Sequence, residues 1–405
     1  MTLFLGKSPH HSIPSHTDIV SNVTPPRTIV IATSSWQHGA AVPTHFKALA
    51  DELAQRGHRV TLVLDRHAHE LAAPHANPAV LVWPSLRPTR WPDFVFARRL
   101  FAQQRPDVLL ANFGAVNVMT LAGWLTGVPT RIAWYHTMQA ALAIDNRGSA
   151  IRRKLQAWRK QLVYRFVTHF VPVSRAAQED LHNGFGIAAE RCHVLYNPLH
   201  DPLPETTNDT LKESVSASVA PAQVLCVGRF DPVKGQDVLL RALPRLRAEF
   251  PALRVVFVGD GALRNEYQTL AQTLDVADNC VFHGNATHDE VLKLLRNSTL
   301  SVVPSRSDNC PLTVIESLAC GTPLVASRVG GIPELFDDGS EGFLVPPDDP
   351  DTLAERIGRL LRDATLRQTF SANARQRFLT RYEMQHAVKH EADWLEQLAQ
   401  STHAK

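Results

Sequence analysis

The 405-residue sequence is short of cysteine, of charge of one sign and of long uninterrupted apolar runs, and each shortage removes a class of protein. The five cysteines, Cys192, Cys226, Cys280, Cys310 and Cys320, form an odd set with no CxxC and no metal-ligand spacing. That excludes a disulfide scaffold and a cysteine-based zinc module, and it fits a reducing compartment. Basic and acidic side chains nearly cancel, 42 against 39 for a net charge of +3, which excludes a nucleic-acid footprint spread over the whole surface. His67 and His69 stand two apart with no third ligand in view, and no DxD pair sits at a strand end, so no metal site is expected. The nearest thing to a membrane span is VLLANFGAVNVMTLAGWLTGV (108–128), uncharged over about the length a bilayer requires. Asn112, Gly114 and Asn117 divide it into a short buried strand and a helix, the hydropathy of a covered sheet rather than of a span. Residues 1–26 lack an apolar period; their LFL is too short for a secretory core and has no cationic cluster before it, so a loose tail is expected.

What remains is a chain with 44% hydrophobic and 20% charged residues, enough for two ordinary cores. Short β-branched runs alternate with amphipathic helical patterns, which predicts parallel sheets covered by helices on both faces. In the first half the strands are TIVIAT (28–33), RVTLVL (59–64), AVLVW (79–83), DVLLA (107–111), TRIAWY (130–135) and HFVPVS (169–174). In the second they are QVLCVG (223–228), LRVVFVGDG (253–261), CVFHG (280–284), LSVVPS (300–305) and PLVAS (323–327), followed by helices near 350–363, 366–379 and 384–399 with no further strand. A polar segment rich in Pro, Ser and Thr separates the two series. The expected division is a tail (1–26), a first α/β domain (27–199), a linker (200–222), a second α/β domain (223–380) and a last helix (381–405) that packs back on the first.

Two stretches carry chemistry. In PSRSDNCPLTVIESLACGTP, Pro311 suits the first position of a helix that stops near Cys320, before Gly321 and Pro323. The free amides of Leu312 and Thr313 would then form an anion site beside a strand end. Asp308 in the loop and Glu316 one turn into the helix are acceptors suited to sugar or ribose hydroxyls, or else a loop cap and a local ion pair. In VGRFDPVKGQDVLLRAL, Arg229 and Lys234 occupy a turn between a strand end at Gly228 and a helix starting near Gln236. A guanidinium fork and an ammonium five residues apart can close on a diphosphate, with Gly228 and Gly235 permitting the tight backbone. Loops at the carboxyl ends of strands form the ligand crevice of a doubly wound sheet, so both stretches open on one cleft.

This pair of stretches resembles the second domain of the family 4 glycosyltransferases, retaining enzymes of the GT-B architecture that use nucleotide-diphosphate sugars without a metal or other cofactor. The likeness continues through VFVGDGALRNEY, VFHGNATHDEV and GFLVPPDDPDTLAERI, and reaches back to HGAAVPTHFKALADELAQRGHRVTLV. It implies two Rossmann-like domains facing across a cleft, an acceptor side first and a donor side second. It also implies that Asp308 contacts hydroxyls of the donor sugar and Glu316 the ribose, and that Arg229 and Lys234 hold the diphosphate. Donor contacts would run through Gly228, Asn309, Cys310, Pro311, Leu312 and Thr313. Pro311 stands where the family usually has glycine, and Asp308 is shorter than the family's glutamate; in the first loop, Gly39, Ala40 and Ala41 are further donor contacts by this likeness, with Ala40 and Ala41 in the place of the family's glycine pair. His136, after a strand of the first domain, matches a histidine that many members place near the reacting sugar.

The acceptor side is less legible. RGSAIRRKLQAWRKQLVYRFV (147–167) reads as a basic amphipathic helix with Ile151, Leu155, Trp158, Leu162 and Phe166 on one face. Either that face packs into the core, or the helix lies on an anionic membrane. The expectation is a cytoplasmic enzyme, at the inner face of the membrane in the second case, that moves a sugar from a nucleotide sugar to a glycan or lipid-linked acceptor in cell-surface polysaccharide or lipopolysaccharide synthesis. No nucleic-acid partner is expected. Two rivals stay open: a nucleotide-sugar epimerase of the same architecture, and a non-catalytic nucleotide-sugar binder.

Overall fold

The structure, a computed structural model of the chain, describes residues 25–33, 41–65, 70–86, 88–136, 158–203 and 221–403. The first parallel sheet contains β1 (Thr28–Ala32), β2 (Arg59–Leu64), β3 (Ala79–Val82), β4 (Val108–Ala111), β5 (Thr130–Tyr135) and β6 (His169–Pro172), ordered β3-β2-β1-β4-β5-β6. The second contains β7 (Gln223–Val227), β8 (Arg254–Val258), β9 (Cys280–Gly284), β10 (Leu300–Val303), β11 (Leu324–Ser327) and β12 (Gly342–Val345), ordered β12-β11-β10-β7-β8-β9. Counted from each sheet's own first strand, both follow 3-2-1-4-5-6, the doubly wound order whose ligand crevice lies where the winding reverses. Helices cover both faces, so consecutive strand residues are all buried: Val30 and Ile31 of β1 face opposite sides and neither reaches solvent.

The sequence reading ended the second sheet at residue 327; β12 is a correction. GFLV is only four residues long and begins with a glycine, so it offers little strand pattern of its own. It pairs in parallel with β11, Leu324 against Gly342 and Ser327 against Val345. An added Cβ on Gly342 would lie 2.2 Å from the Leu324 carbonyl oxygen, which is why the strand starts without a side chain. The uncharged run from 108 to 128 does split, into β4 and a helix over Ala115–Leu125. Among the described residues no helix is long and apolar enough to cross a membrane.

Three helices close the chain: Pro350–Arg362, Ala364–Arg381 and Met384–His403. Asp349 and Asp363 cap the first two, accepting from the amides of Thr352 and Leu366 at 2.9 Å each. The last helix returns to the first domain and lies along the helix Ala41–Gln55. There His45 Nε2 meets Glu391 Oε2 at 2.6 Å with both side chains 2% exposed, and His58 and Arg56 pair with Glu396 and Asp393 at 2.9 and 2.6 Å. The entry to this helix is tied to the end of the first domain: Leu199 donates to the Tyr382 carbonyl at 2.9 Å and accepts from the Met384 amide at 3.0 Å. One apolar cluster runs across the junction, from Phe46 and Leu49 through Phe378 and Tyr382 to Ile315 and Leu318.

Candidate active site

In the second sheet the winding reverses between β7 and β10, which are hydrogen-bonded neighbours. Both chemistry-bearing stretches leave the sheet at this point. After β7, the buried Asp231 accepts from the Val233 amide at 3.1 Å and sets one tight turn over Pro232–Lys234. Gly235 follows at φ +66°, and a Cβ there would lie 2.1 Å from the Pro304 carbonyl oxygen, so only glycine lets this loop rest on the end of β10. Arg306 stitches the two loops together: its amide donates to the Val233 carbonyl at 2.8 Å and its guanidinium pairs with Asp237 at 2.7 Å and Asp348 at 2.6 Å.

The result is direct contact between the two stretches. Lys234 Nζ lies 2.6 Å from Asp308 Oδ2, which also accepts from Ser305 Oγ at 3.2 Å. Arg229 is placed differently. It pairs with the buried Asp231 of its own loop at 2.6 Å, while its own side chain is 68% exposed. Gly228 needs correcting, because a Cβ there would meet only ordinary contacts at 3.6 Å; the tight glycine of this loop is Gly235.

The helix of the second stretch spans Leu312–Ala319. Pro311 is its N-cap in extended backbone, φ −66° and ψ 124°, and not its first helical residue as the sequence reading had it. The difference of one position leaves the Leu312 and Thr313 amides at the open end of the helix, where no carbonyl of the same helix can reach them. At the other end Gly321 takes φ +64°, the expected left-handed stop. Glu316 is 7% exposed on the second turn, and its Oε1 lies 3.2 Å from Nδ1 of His288.

The loop between Asp308 and Pro311 also reaches the first domain. Asn309 donates to the His136 carbonyl at 3.0 Å and accepts from the Ser174 hydroxyl, while Asn197 donates to the Cys310 carbonyl at 3.2 Å. Beneath it pack Gly330 and Gly331; a Cβ on Gly331 would lie 1.8 Å from the Asn309 carbonyl oxygen and 2.7 Å from Ser174. Glu334, three residues on, crosses the junction. Its carboxylate accepts from the Arg175 and Ala176 amides at 2.7 and 2.8 Å, the N-terminus of the helix Arg175–Phe185, and from Tyr196 Oη at 3.0 Å. His136 stacks on Phe113 with ring centroids 4.5 Å apart. Its Nε2 is buried with no hydrogen-bond partner among the described residues, and burial, with repulsion from His45, pushes its pKa down to about 3. The imidazole is neutral at any physiological pH.

Ser174, Asn197, Glu334 and His288 were not singled out from sequence. Ser174 carried a signal, since a serine between a strand and an amphipathic run is a helix cap, and it does accept from the Ala177 amide at 3.0 Å. Nothing local marked the cross-domain bonds of Asn197 and Glu334 or the pairing of His288 with Glu316. Gly39 and Ala40 lie outside the described residues, and Ala41 opens the helix Ala41–Gln55. His67, His69 and residues 147–157 also lie outside, as does most of the expected linker, 204–220. The described end of the basic segment shows Trp158 62% and Leu162 42% exposed, with Val163 and Tyr164 buried instead. Its Trp158 and Leu162 side chains thus face outward, Trp124 and Leu125 are exposed too, and the Phe166 ring lies tilted against Trp124 with centroids 4.4 Å apart. Among the described residues no group of three or more His, Cys, Asp or Glu could hold a metal ion.

Two family models match along the chain: Glycosyltransferase Family 4 over residues 42–201 and Glycosyl transferases group 1 over residues 208–377. A D-inositol 3-phosphate glycosyltransferase of Acidothermus cellulolyticus is 40% identical over 147 residues, 34% of this chain and 33% of that protein. The enzyme of the same name from Xylanimonas cellulosilytica is 29% identical over 269 residues, 63% of this chain and 64% of that protein. The matches thus span from a third to just under two thirds of those relatives' own lengths. Among solved structures, Anabaena HepE in complex with UDP-glucose superposes with a TM-score of 0.71 at 21% identity, over 92% of this chain and all of that one, a likeness of fold. With a doubly wound sheet in each half, the paired motif loops at one switch point and two family models that together run from residue 42 to 377, the chain belongs to the family 4 glycosyltransferases of GT-B architecture.

Proposed function

We propose that the chain is a retaining glycosyltransferase that moves a sugar from a nucleotide-diphosphate sugar to a glycan or lipid-linked acceptor, in the synthesis of cell-surface polysaccharide or lipopolysaccharide. The 2.6 Å pair between Lys234 Nζ and Asp308 Oδ2 carries this reading, because it brings a phosphate-binding cation and a hydroxyl-binding carboxylate to one point. On donor binding the ammonium exchanges Asp308 for the diphosphate, and the freed carboxylate accepts from a sugar hydroxyl. Arg229 offers its exposed guanidinium to the phosphates, and the Leu312 and Thr313 amides complete the cradle. As the glycosidic bond to the leaving group breaks, negative charge grows on the phosphate and positive charge on the sugar ring. Lys234, Arg229 and the helix N-terminus stabilise the first, so the proposed reaction uses no metal. Neutral His136 adds a hydrogen-bonding group beside the ring without opposing its charge.

Thermal shift against a panel of nucleotide sugars identifies the donor, since a ligand that binds the folded chain raises its melting temperature by mass action. With that donor, Lys234→Ala is expected to lower turnover by about 10²-fold or more. Near-normal turnover would remove the lysine from the mechanism. Release of nucleoside diphosphate only when acceptor is present separates the transferase from an epimerase.

The outward stripe of Trp158 and Leu162, flanked by exposed Arg159 and Arg165, supports peripheral docking on the anionic inner face of the cytoplasmic membrane. Sedimentation with phosphatidylglycerol vesicles at low salt, lost at high salt, is the expected result; no sedimentation at low salt ends this part of the proposal.

A further inference from the structure

Glu316 has a partner whose position is fixed by its own helix start. The helix His288–Arg296 opens with a reciprocal cap, in which the Thr287 hydroxyl accepts from the Glu290 amide at 3.3 Å and the Glu290 carboxylate accepts from the Thr287 amide at 2.7 Å. His288 is therefore the first helical residue. Its ring is 27% exposed, with Nδ1 at 3.2 Å from Glu316 Oε1. Neither residue touches the Lys234–Asp308 pair, so they form a second polar centre on the donor side. The ribose of a nucleotide presents two neighbouring hydroxyls, and one carboxylate accepts from both only while its plane is held against rotation. The imidazole, an ion-pair partner 3.2 Å from Oε1, supplies that hold on one oxygen and leaves Oε2 for the ligand.

We propose that His288 is a positioning residue for nucleotide recognition: it holds the Glu316 carboxylate in the orientation that reads the ribose diol. This rests on the donor-site reading above. The Glu316 carboxylate beside it raises the imidazole pKa above its ordinary value, with Asp289 on the same helix adding to the rise, which favours the charged and stronger donor form.

Calorimetric titration of the full chain with UDP, GDP and ADP, and with the 2′,3′-dideoxy form of whichever binds, tests it. In the unaltered chain, removing the hydroxyls is expected to weaken binding by roughly 10- to 100-fold, the scale for hydrogen bonds to a charged group. In His288→Ala the gap should shrink to a few-fold, through loss of affinity for the hydroxylated nucleotide alone. His288→Gln, whose amide can donate to the same oxygen, should restore most of the gap, and inorganic pyrophosphate should bind all three alike. An unchanged gap in His288→Ala, or equal weakening of nucleotide, dideoxynucleotide and pyrophosphate, overturns the assignment while leaving the donor site standing. Failure of all three diphosphates to bind the unaltered chain overturns the donor-site reading and this inference together.

Discussion

The two domains share a strand order but use their glycines differently. In the second domain Gly235, Gly330 and Gly331 stand where a Cβ would strike backbone of another loop at 1.8 to 2.1 Å; in the first, Gly57, Gly127 and Gly186 take left-handed turns with nothing within 4 Å. The first set lets loops touch, and the second merely ends helices. One scaffold thus supports a second domain whose loops are knit together at the switch point of its sheet and a first domain whose turns leave room, because loops vary on a common strand order more freely than the strands themselves.

The largest expected effect breaks that contrast directly. Gly331→Ala should cost about 3 kcal/mol of unfolding free energy, since neither the Asn309 carbonyl nor Ser174 can retreat without breaking cross-domain bonds. Gly127→Ala should cost about 1–2 kcal/mol, the price of a left-handed alanine alone. Urea denaturation of both variants decides it, and equal losses would erase the distinction. Next in size, Glu334→Gln keeps one acceptor oxygen where two are used. It should cost about 1–3 kcal/mol, because one helix amide loses its partner at the junction. A variant as stable as the parent would show that the junction does not depend on this carboxylate.

Two histidines sharpen the comparison further, because their shifts have opposite sign. Folded His136 titrates near 3 and unfolded histidine near 6.5, so the unfolded chain binds more protons between those values. Its contribution is present above pH 6.5 and is lost as pH falls toward 3; His136→Phe should flatten that part of a stability profile. His288 is raised by Glu316, so its contribution is complete below the unfolded value and is lost as pH rises through the raised one. His288→Gln should flatten that upper part, and the reverse pairing of variant and pH range would contradict both environments. The smallest effect is on stability at Trp158. Replacement of this outward side chain by alanine should change unfolding free energy by no more than about 0.5 kcal/mol while weakening sedimentation with anionic vesicles.

Eleven of the strands were legible because a strand buried on both faces writes itself as a short β-branched run, whatever it packs against. β12 was not, since four residues led by a glycine carry too little pattern. Lys234 and Asp308 could be placed on one cleft from the rule that loops at strand ends converge, although 74 residues separate them. Glu334 and Ser174 could not: the bonds they make cross between domains, and each looks locally like an ordinary surface acid or helix cap. Pro311 shows the limit within a motif, where propensity fixed the start of the helix to within one residue and the cap geometry chose the other side.

The polypeptide passes between its halves twice, once after Leu199 and once near Glu383, and those two passages lie side by side as a short parallel bridge. Two tethers far apart would have held the halves at separate points; two a hydrogen bond apart confine both crossings to one place. A substitution that disturbs the backbone at Leu199 or Met384 therefore acts on both connections at once.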